Sequence, residues 1–217
     1  MPYWLEVPIK SFPYLLKGAV ATLEVTSLSV LLGLLIGTFV GMGRLSRNPI
    51  FSRPATVYVE FIRGTPLLVQ IYIIYFGLPS LGLNLPKFPA GIIALGINSG
   101  AYVAEIVRAG IQSISHGQYE AARSLGLTHW QAMRYIILPQ AFRNILPALG
   151  NEFIALTKDS SLVSVIAITE LLRAGQIVIS RTFQSFSVYF AVALLYFVMT
   201  FTMSRMVRWV EKRLAIP

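Results

Sequence analysis

Long apolar runs separated by short polar stretches dominate the chain, and the runs have the length that crosses a bilayer as a helix, about 20 residues. Five are read: Val20 to Met42, Pro54 to Leu78, Phe88 to Ile111, Ala141 to Thr157 and Val188 to Arg208. Arg44, Arg47 and Arg53 follow the first run, Arg123 and Arg134 follow the third, and Arg205, Arg208, Lys212 and Arg213 close the fifth. Lys and Arg at the ends of membrane spans remain cytoplasmic. The pattern therefore predicts an all-α membrane protein of five transmembrane helices, with the N-terminus outside and the C-terminus cytoplasmic. "PSLGLNLPKFP" is a short external turn whose only basic residue is Lys87. "LVSVIAITELLRAGQIVISRT" is apolar enough to pass for a sixth span, but Glu170, Arg173 and Arg181 predict a helix lodged against the external mouth. Glu6, two further prolines and Lys17 interrupt the opening segment, which reads as a short interfacial piece and not a signal peptide, with Tyr3, Trp4 and Phe12 at headgroup depth.

With 55% hydrophobic and 12% charged residues among 217, the chain is too apolar for a soluble domain, and residues 1–217 read as one transmembrane domain. In so apolar a chain a net charge of +9 marks cytoplasmic span ends and not a nucleic-acid partner. The absence of cysteine excludes disulfides and thiolate metal sites; with only His116 and His129 as imidazoles and no H-E-x-x-H, neither a metal site nor an intramembrane enzyme is expected.

The stretch "EAARSLGLTHWQAMRYIILP", Glu120 to Pro139, is polar where its neighbours are greasy. Ser115 with Gln118 and Thr128 with Gln131 have capping-box spacing, Gly126 stands where a left-handed stop belongs, and Pro139 marks a turn back to the membrane. Residues 115–139 thus predict two short cytoplasmic helices joined by a glycine corner, a docking knob. The spacing Glu120-Ala121-Ala122, three residues, Gly126, nine residues, Ile136, one residue, Leu138-Pro139 resembles the EAA motif of ABC importer permeases. "EFIRGTPLLVQIYIIYFGLP", "GAYVAEIVRAGIQSISHGQYEAARSLG", "LPQAFRNILPAL" and "KDSSLVSVIAITEL" are similar to the polar and basic amino-acid branch of that family, which imports histidine, glutamine, glutamate, arginine, lysine and opines. The resemblance implies a type I importer permease fold in a bacterial cell membrane. It further implies that Glu120, Ala121, Ala122, Ser124, Leu125 and Gly126 couple to a separate ATPase, present in two copies and holding the ATP and magnesium. A second permease subunit, identical or different, and an external or periplasmic amino-acid-binding protein complete the implied assembly in the lipid bilayer. No phosphate loop of the form G-x-x-x-x-G-K-[ST] occurs in this chain, so no cofactor is expected on it.

Ionisable residues inside a membrane are functional candidates unless neutralised locally. Glu60 has Arg63, Glu105 has Arg108 and Glu170 has Arg173 one turn away, whereas Glu152 has no basic residue three or four positions off. Counted from Ala141, Glu152 lies about 16 Å into a core of about 30 Å. Asn98 reaches a similar depth from the other side, with Tyr102 one turn on. Either a cation from another helix meets Glu152, or the carboxylate faces a solute cavity. "RGTP" and "TKDSSL" predict broken helices, which commonly hold charged groups of small substrates. On this reading Thr65, Ser160 and Ser161 hold the α-carboxylate and α-amino groups, and Glu152, with Glu60 or Asp159, meets a cationic side chain. Thr157 adds a polar wall. Arginine, lysine or histidine is favoured; glutamine, glutamate or another polar solute, or a stand-alone channel or ion-coupled carrier, are the alternatives.

Overall fold

A computed structural model describes residues 3–214, with side chains from Glu6 onward. All the described regular structure is helical. Helix α1 runs from Tyr3 to Leu45, 43 residues without a break, where a separate opening segment is expected from the sequence. Pro8 and Pro13 stay inside it although an interior proline costs about 3 kcal/mol. Burial explains the continuity: Leu15 and Ala19 join a buried apolar cluster with Leu171, Ala174, Val188 and Val192, and Val7 packs against it. Tyr3 and Trp4, expected at headgroup depth, lie outside the described side chains, while Phe12 is exposed.

Helix α4, Lys87–Gln112, lies along α1. A Cβ added at Gly33 would meet Ser99, one at Gly37 would meet Val103 and the Gly100 carbonyl, and one at Gly41 would meet the Ala104 carbonyl. The paired positions climb together, so the two helices run parallel with their backbones in near contact, the packing that small residues permit between membrane helices. Helix α7, Leu138–Asp159, runs the other way, with Ile145 against Gly110 and Glu152 against Ser99. Helix α9, Ser185–Leu214, is antiparallel to α7, since Val207 packs on Gly150 and Met203 reaches Thr157.

Between α1 and α4 the chain returns as α2, Pro49–Gly64, and α3, Leu67–Tyr72, followed by a π turn at Ile73–Gly77. A single span broken at "RGTP" is expected here, and α2 and the α3 run are bent by 105° at that break. Thr65 is extended and Pro66 lacks an N–H, which ends α2 and frees its last carbonyls. Thr65 Oγ1 donates to Phe61 O at 3.0 Å, and Gln70 Nε2 donates to Ile62 O at 2.8 Å and Thr65 O at 3.1 Å. The break therefore carries its own hydrogen-bond partners.

After α7, a 3-10 stretch at Ser160–Ile166 leads to α8, Leu171–Thr182, bent 49° from the preceding helix and packed on α1 and α9. Glu170 caps α8 from full burial, accepting from Leu172 N, Arg173 N and Tyr196 Oη. The expected side-chain pair of Glu170 with Arg173 is thus corrected, because the carboxylate takes backbone donors and the Arg173 guanidinium turns to Gln176. Three helices, α1, α4 and α9, are long and apolar enough to cross a membrane alone; counting each bent pair as one crossing gives five.

Candidate functional site

A cleft of 440 Å³ opens between α4 and α7, lined by Tyr102, Glu105, Ile106, Ala109, Gly110 and Ser113 of α4, Asn144, Ala148 and Glu152 of α7, and Arg63 from the end of α2. Tyr102 to Ser113 spans about 16 Å of helix, so the cleft descends from mid-helix toward the end where α5 leaves α4. Ser113 Oγ accepts from Asn144 Nδ2 at 2.8 Å at its lower end. At its upper end Glu152 accepts from Ser99 Oγ at 2.8 Å. Among the described residues no Lys, Arg or His nitrogen lies within 4.0 Å of the Glu152 carboxylate.

Glu105 is matched differently. It is hydrogen-bonded to Arg44 of α1 and Arg108 of its own helix, with Arg63 at 4.0 Å, tying α1, α2 and α4 together. The Arg108 pair is the one the spacing suggests; the other two cations are distant in sequence. Glu60 makes no ion pair with Arg63, because that guanidinium lies over the Tyr102 ring, 5.3 Å from its centroid, and faces Glu105. Three guanidiniums thus share the single Glu105 carboxylate, which leaves the cleft with positive charge in excess around Arg63 and, at its other end, with the Glu152 carboxyl that no cation meets. That arrangement suits a small zwitterion.

Of the residues expected to hold a solute, Glu152 and Tyr102 come together in this cleft. Asn98 is buried, and its Nδ2 donates to Gln70 Oε1 at 3.0 Å. Positions 98 and 99 point about 100° apart on a helix, so Ser99 and not Asn98 reaches Glu152. Thr65 is half-buried at the α2–α3 break, Glu60 and Asp159 are exposed, and Ser160 is buried with its hydroxyl on Thr157 O. Ser161 lines a separate cleft with Lys158, Tyr189 and Tyr196. The expected polar wall at Thr157 is absent: the residue is fully buried and its hydroxyl donates to Phe153 O. Arg63, Ser113 and Asn144 were not singled out by the sequence. Arg63 had been accounted for by Glu60, and Asn144 carries no charge to draw notice.

Beyond the cleft stand α5, His116–Ser124, and α6, His129–Ala132. Gly126 has φ +83°, and Arg123 donates to Leu127 O at 2.6 Å across the corner. The Thr128–Gln131 capping box is present in both directions, at 3.3 and 2.8 Å. The Ser115 box is not; Gln118 N bonds the Ser115 carbonyl instead, at 3.0 Å. Pro139 makes no turn either. A π turn at Met133–Ile137 joins α6 to α7, and the i to i+5 bond from Leu138 N to Met133 O lets proline enter the continuing helix. Glu120 is exposed and paired with His116 at 3.0 Å, Ala122 is buried, and Leu125 and Trp130 are 84% and 81% exposed, a bare apolar tip.

Residues 29–216 match the protein family described as binding-protein-dependent transport system inner membrane component. The chain is 44% identical over 210 residues to the probable glutamine ABC transporter permease protein GlnM of Bacillus subtilis (strain 168), covering 97% of both. It is 42% identical over 208 residues to the glutamine transport system permease protein GlnP of Escherichia coli (strain K12), covering 95% of both. A crystal structure described as an amino acid ABC transporter with histidines matches with 51% identity and a TM-score of 0.92, over 94% of this chain and 96% of that one.

Proposed function

The chain belongs to the binding-protein-dependent transport system inner membrane components, as a permease subunit of an amino-acid ABC importer, and from that premise we propose that it passes cationic amino acids through the α4–α7 cleft. It is a transport subunit and not an enzyme; ATP is hydrolysed on a separate subunit. In this reading five crossings place the basic stretches that follow α1 and α4 and that end α9 in the cytoplasm of a bacterium, and the cleft opens to that side. Residues 115–139 dock on the ATPase through Glu120, Ala121, Ala122, Ser124, Leu125 and Gly126, and an external binding protein delivers the solute.

The observation that carries the choice of solute is Glu152, a carboxylate on the cleft wall whose hydrogen-bond partner is a neutral hydroxyl. Arg63 would take the α-carboxylate and Glu152 the ammonium or guanidinium end. Support also comes from the histidines in the description of the relative at 51% identity. A second reading, glutamine, is favoured by the names of GlnM and GlnP. The two separate on ATPase stimulation in liposomes holding the complete transporter, with the twenty amino acids scanned in turn. Arginine, lysine or histidine stimulates the wild type. Because a hydrogen bond to a charged partner is worth about 1.5–3 kcal/mol, Glu152→Gln raises the half-saturating concentration roughly ten- to a hundredfold. Stimulation by glutamine alone, unchanged in Glu152→Gln, sinks the cationic reading.

A second variant tests the docking knob. Gly126→Val places a β-branched residue in the left-handed region at a cost of about 1–2 kcal/mol and re-aims α6. Solute-stimulated ATPase activity is expected to fall at least tenfold at unchanged permease content; wild-type stimulation removes the corner from the coupling path.

A further inference from the structure

A second cleft, of 370 Å³, lies between α1, α7 and α9, on the far side of α7 from the polar one. Its walls include Leu34, Pro147, Gly150, Phe153, Met206 and Val210, and no lining residue has a charged or hydrogen-bonding side chain. An amino acid finds no partner for either of its charges there, whereas a hydrocarbon chain needs none. Two arginines extend the lined helix faces beyond its lower end. Arg143 precedes Leu146 by three residues on α7, and Arg213 follows Val210 by three on α9. Both are exposed, and among the described residues no carboxylate lies within 4.0 Å of either. Arg213 lies over the Trp209 ring at 4.6 Å, and exposed tryptophan is characteristic of the headgroup level.

From Arg143 to Phe153 is about 15 Å of helix, half of a hydrocarbon core of about 30 Å. The cleft and the arginines beyond its lower end together have the depth of one leaflet, with cations at the headgroup end and apolar walls above. We propose that it binds one anionic phospholipid of the leaflet on the α5–α6 side, an acyl chain between α7 and α9 and the phosphate on Arg143 and Arg213. Basic pockets between membrane helices take anionic headgroups in this way, and guanidinium suits phosphate geometry. Placing that leaflet on the cytoplasmic side rests on the sidedness proposed above.

Native mass spectrometry of the assembled transporter, titrated with phosphatidylglycerol and with phosphatidylcholine, tests the site. Phosphatidylglycerol is expected to saturate at one molecule per permease chain and to bind about tenfold more tightly than phosphatidylcholine, whose phosphate carries a tethered trimethylammonium that the two arginines repel. Arg143→Gln with Arg213→Gln should erase that preference, and Val210→Trp, which fills the cleft and leaves both arginines, should remove the adduct. Equal binding of the two lipids, or wild-type binding by the double variant, overturns the proposal. So does a disulfide between a cysteine placed at Leu34 and one on a second permease chain, since the wild type has no cysteine and such a bond puts protein in the cleft. Stimulation by amino acids is read on the same preparation: its absence with the lipid preference intact sinks the transport reading and leaves the lipid site standing.

Discussion

Gly37→Leu leaves almost no folded permease. A Cβ at this position already stands 2.5 Å from Val103 Cβ and 2.6 Å from the Gly100 carbonyl, closer than real Cβ contacts come. The neighbours cannot yield, since Val103 is fully buried and Gly100 is backbone. Leucine adds three further carbons and forces α1 away from α4 along a seam where Cβ atoms at Gly33 and Gly41 would also stand under 3.0 Å from α4, at 2.9 and 2.8 Å. Overpacking a core costs about 1–3 kcal/mol, and losing backbone contact along the longest interface raises this toward the upper end or beyond. Fluorescence-detected size exclusion of a tagged permease should show a collapsed monodisperse peak and a melting midpoint too low to measure. Gly64→Ala is the matched control, because nothing lies within 4 Å of an added Cβ there, and it should melt like the wild type. A Gly37→Leu protein that melts with the control would mean that the seam opens at little cost.

Glu170→Ala is the second severe change. The carboxylate is fully buried and accepts three hydrogen bonds, from Leu172 N at 2.7 Å and from Arg173 N and Tyr196 Oη at 2.8 Å. Alanine abandons the second and third N–H donors of α8 and the tyrosine hydroxyl together, while Leu171 N keeps Thr22 Oγ1, and each buried orphan costs about 1–3 kcal/mol. With the cavity left behind, a loss of about 4 kcal/mol is expected. Glu170→Gln keeps the volume but offers one acceptor oxygen in place of two, and should lose about half as much. Tyr196→Phe withdraws one of the three donors to the carboxylate and leaves the two backbone donors of α8 capped, and should be mildest. Thermal unfolding in detergent orders the three variants; an alanine variant no worse than Tyr196→Phe would show that Glu170 is not the tie between α8 and α9.

The sequence made the three self-sufficient spans legible because apolar length is a strong signal, and α1, α4 and α9 contain the expected runs. Breaks at Thr65–Pro66 and after Asp159 were legible from proline and from residues that compete for backbone bonds. The angle at the first break was not, since proline dictates which hydrogen bond is lost and not the direction taken afterwards. Spacing misled for charges. Glu60–Arg63, Glu105–Arg108 and Glu170–Arg173 look alike in sequence, yet one is an ion pair, one is replaced by a cap and one is abandoned for a ring and another helix's carboxylate. An arginine reaches any neighbour within its side-chain length, and tertiary structure chooses which. Glu152 was legible because nothing nearby in sequence competed for it, while Asn98 lost its expected place to Gln70, a residue that the α2–α3 bend alone brings near.

Because α2–α3 and the α6–α7–α8 run attain span-like hydropathy only as bent pairs, the helices differ in how a nascent chain can deliver them to lipid. A segment leaving the translocation channel partitions on its own merits, and a charge near the helix centre costs about 3 kcal/mol. Helix α7, with Glu152 at its middle and Lys158 and Asp159 at its end, is a poor candidate for independent release. Both α1 and α4 precede it in synthesis, and in the folded chain α4 presents Ser99 to the carboxylate and Gly110 to Ile145. Helix α7 is thus expected to settle in the bilayer against helices already made, so that in the biogenesis of this permease the wall bearing Glu152 comes late.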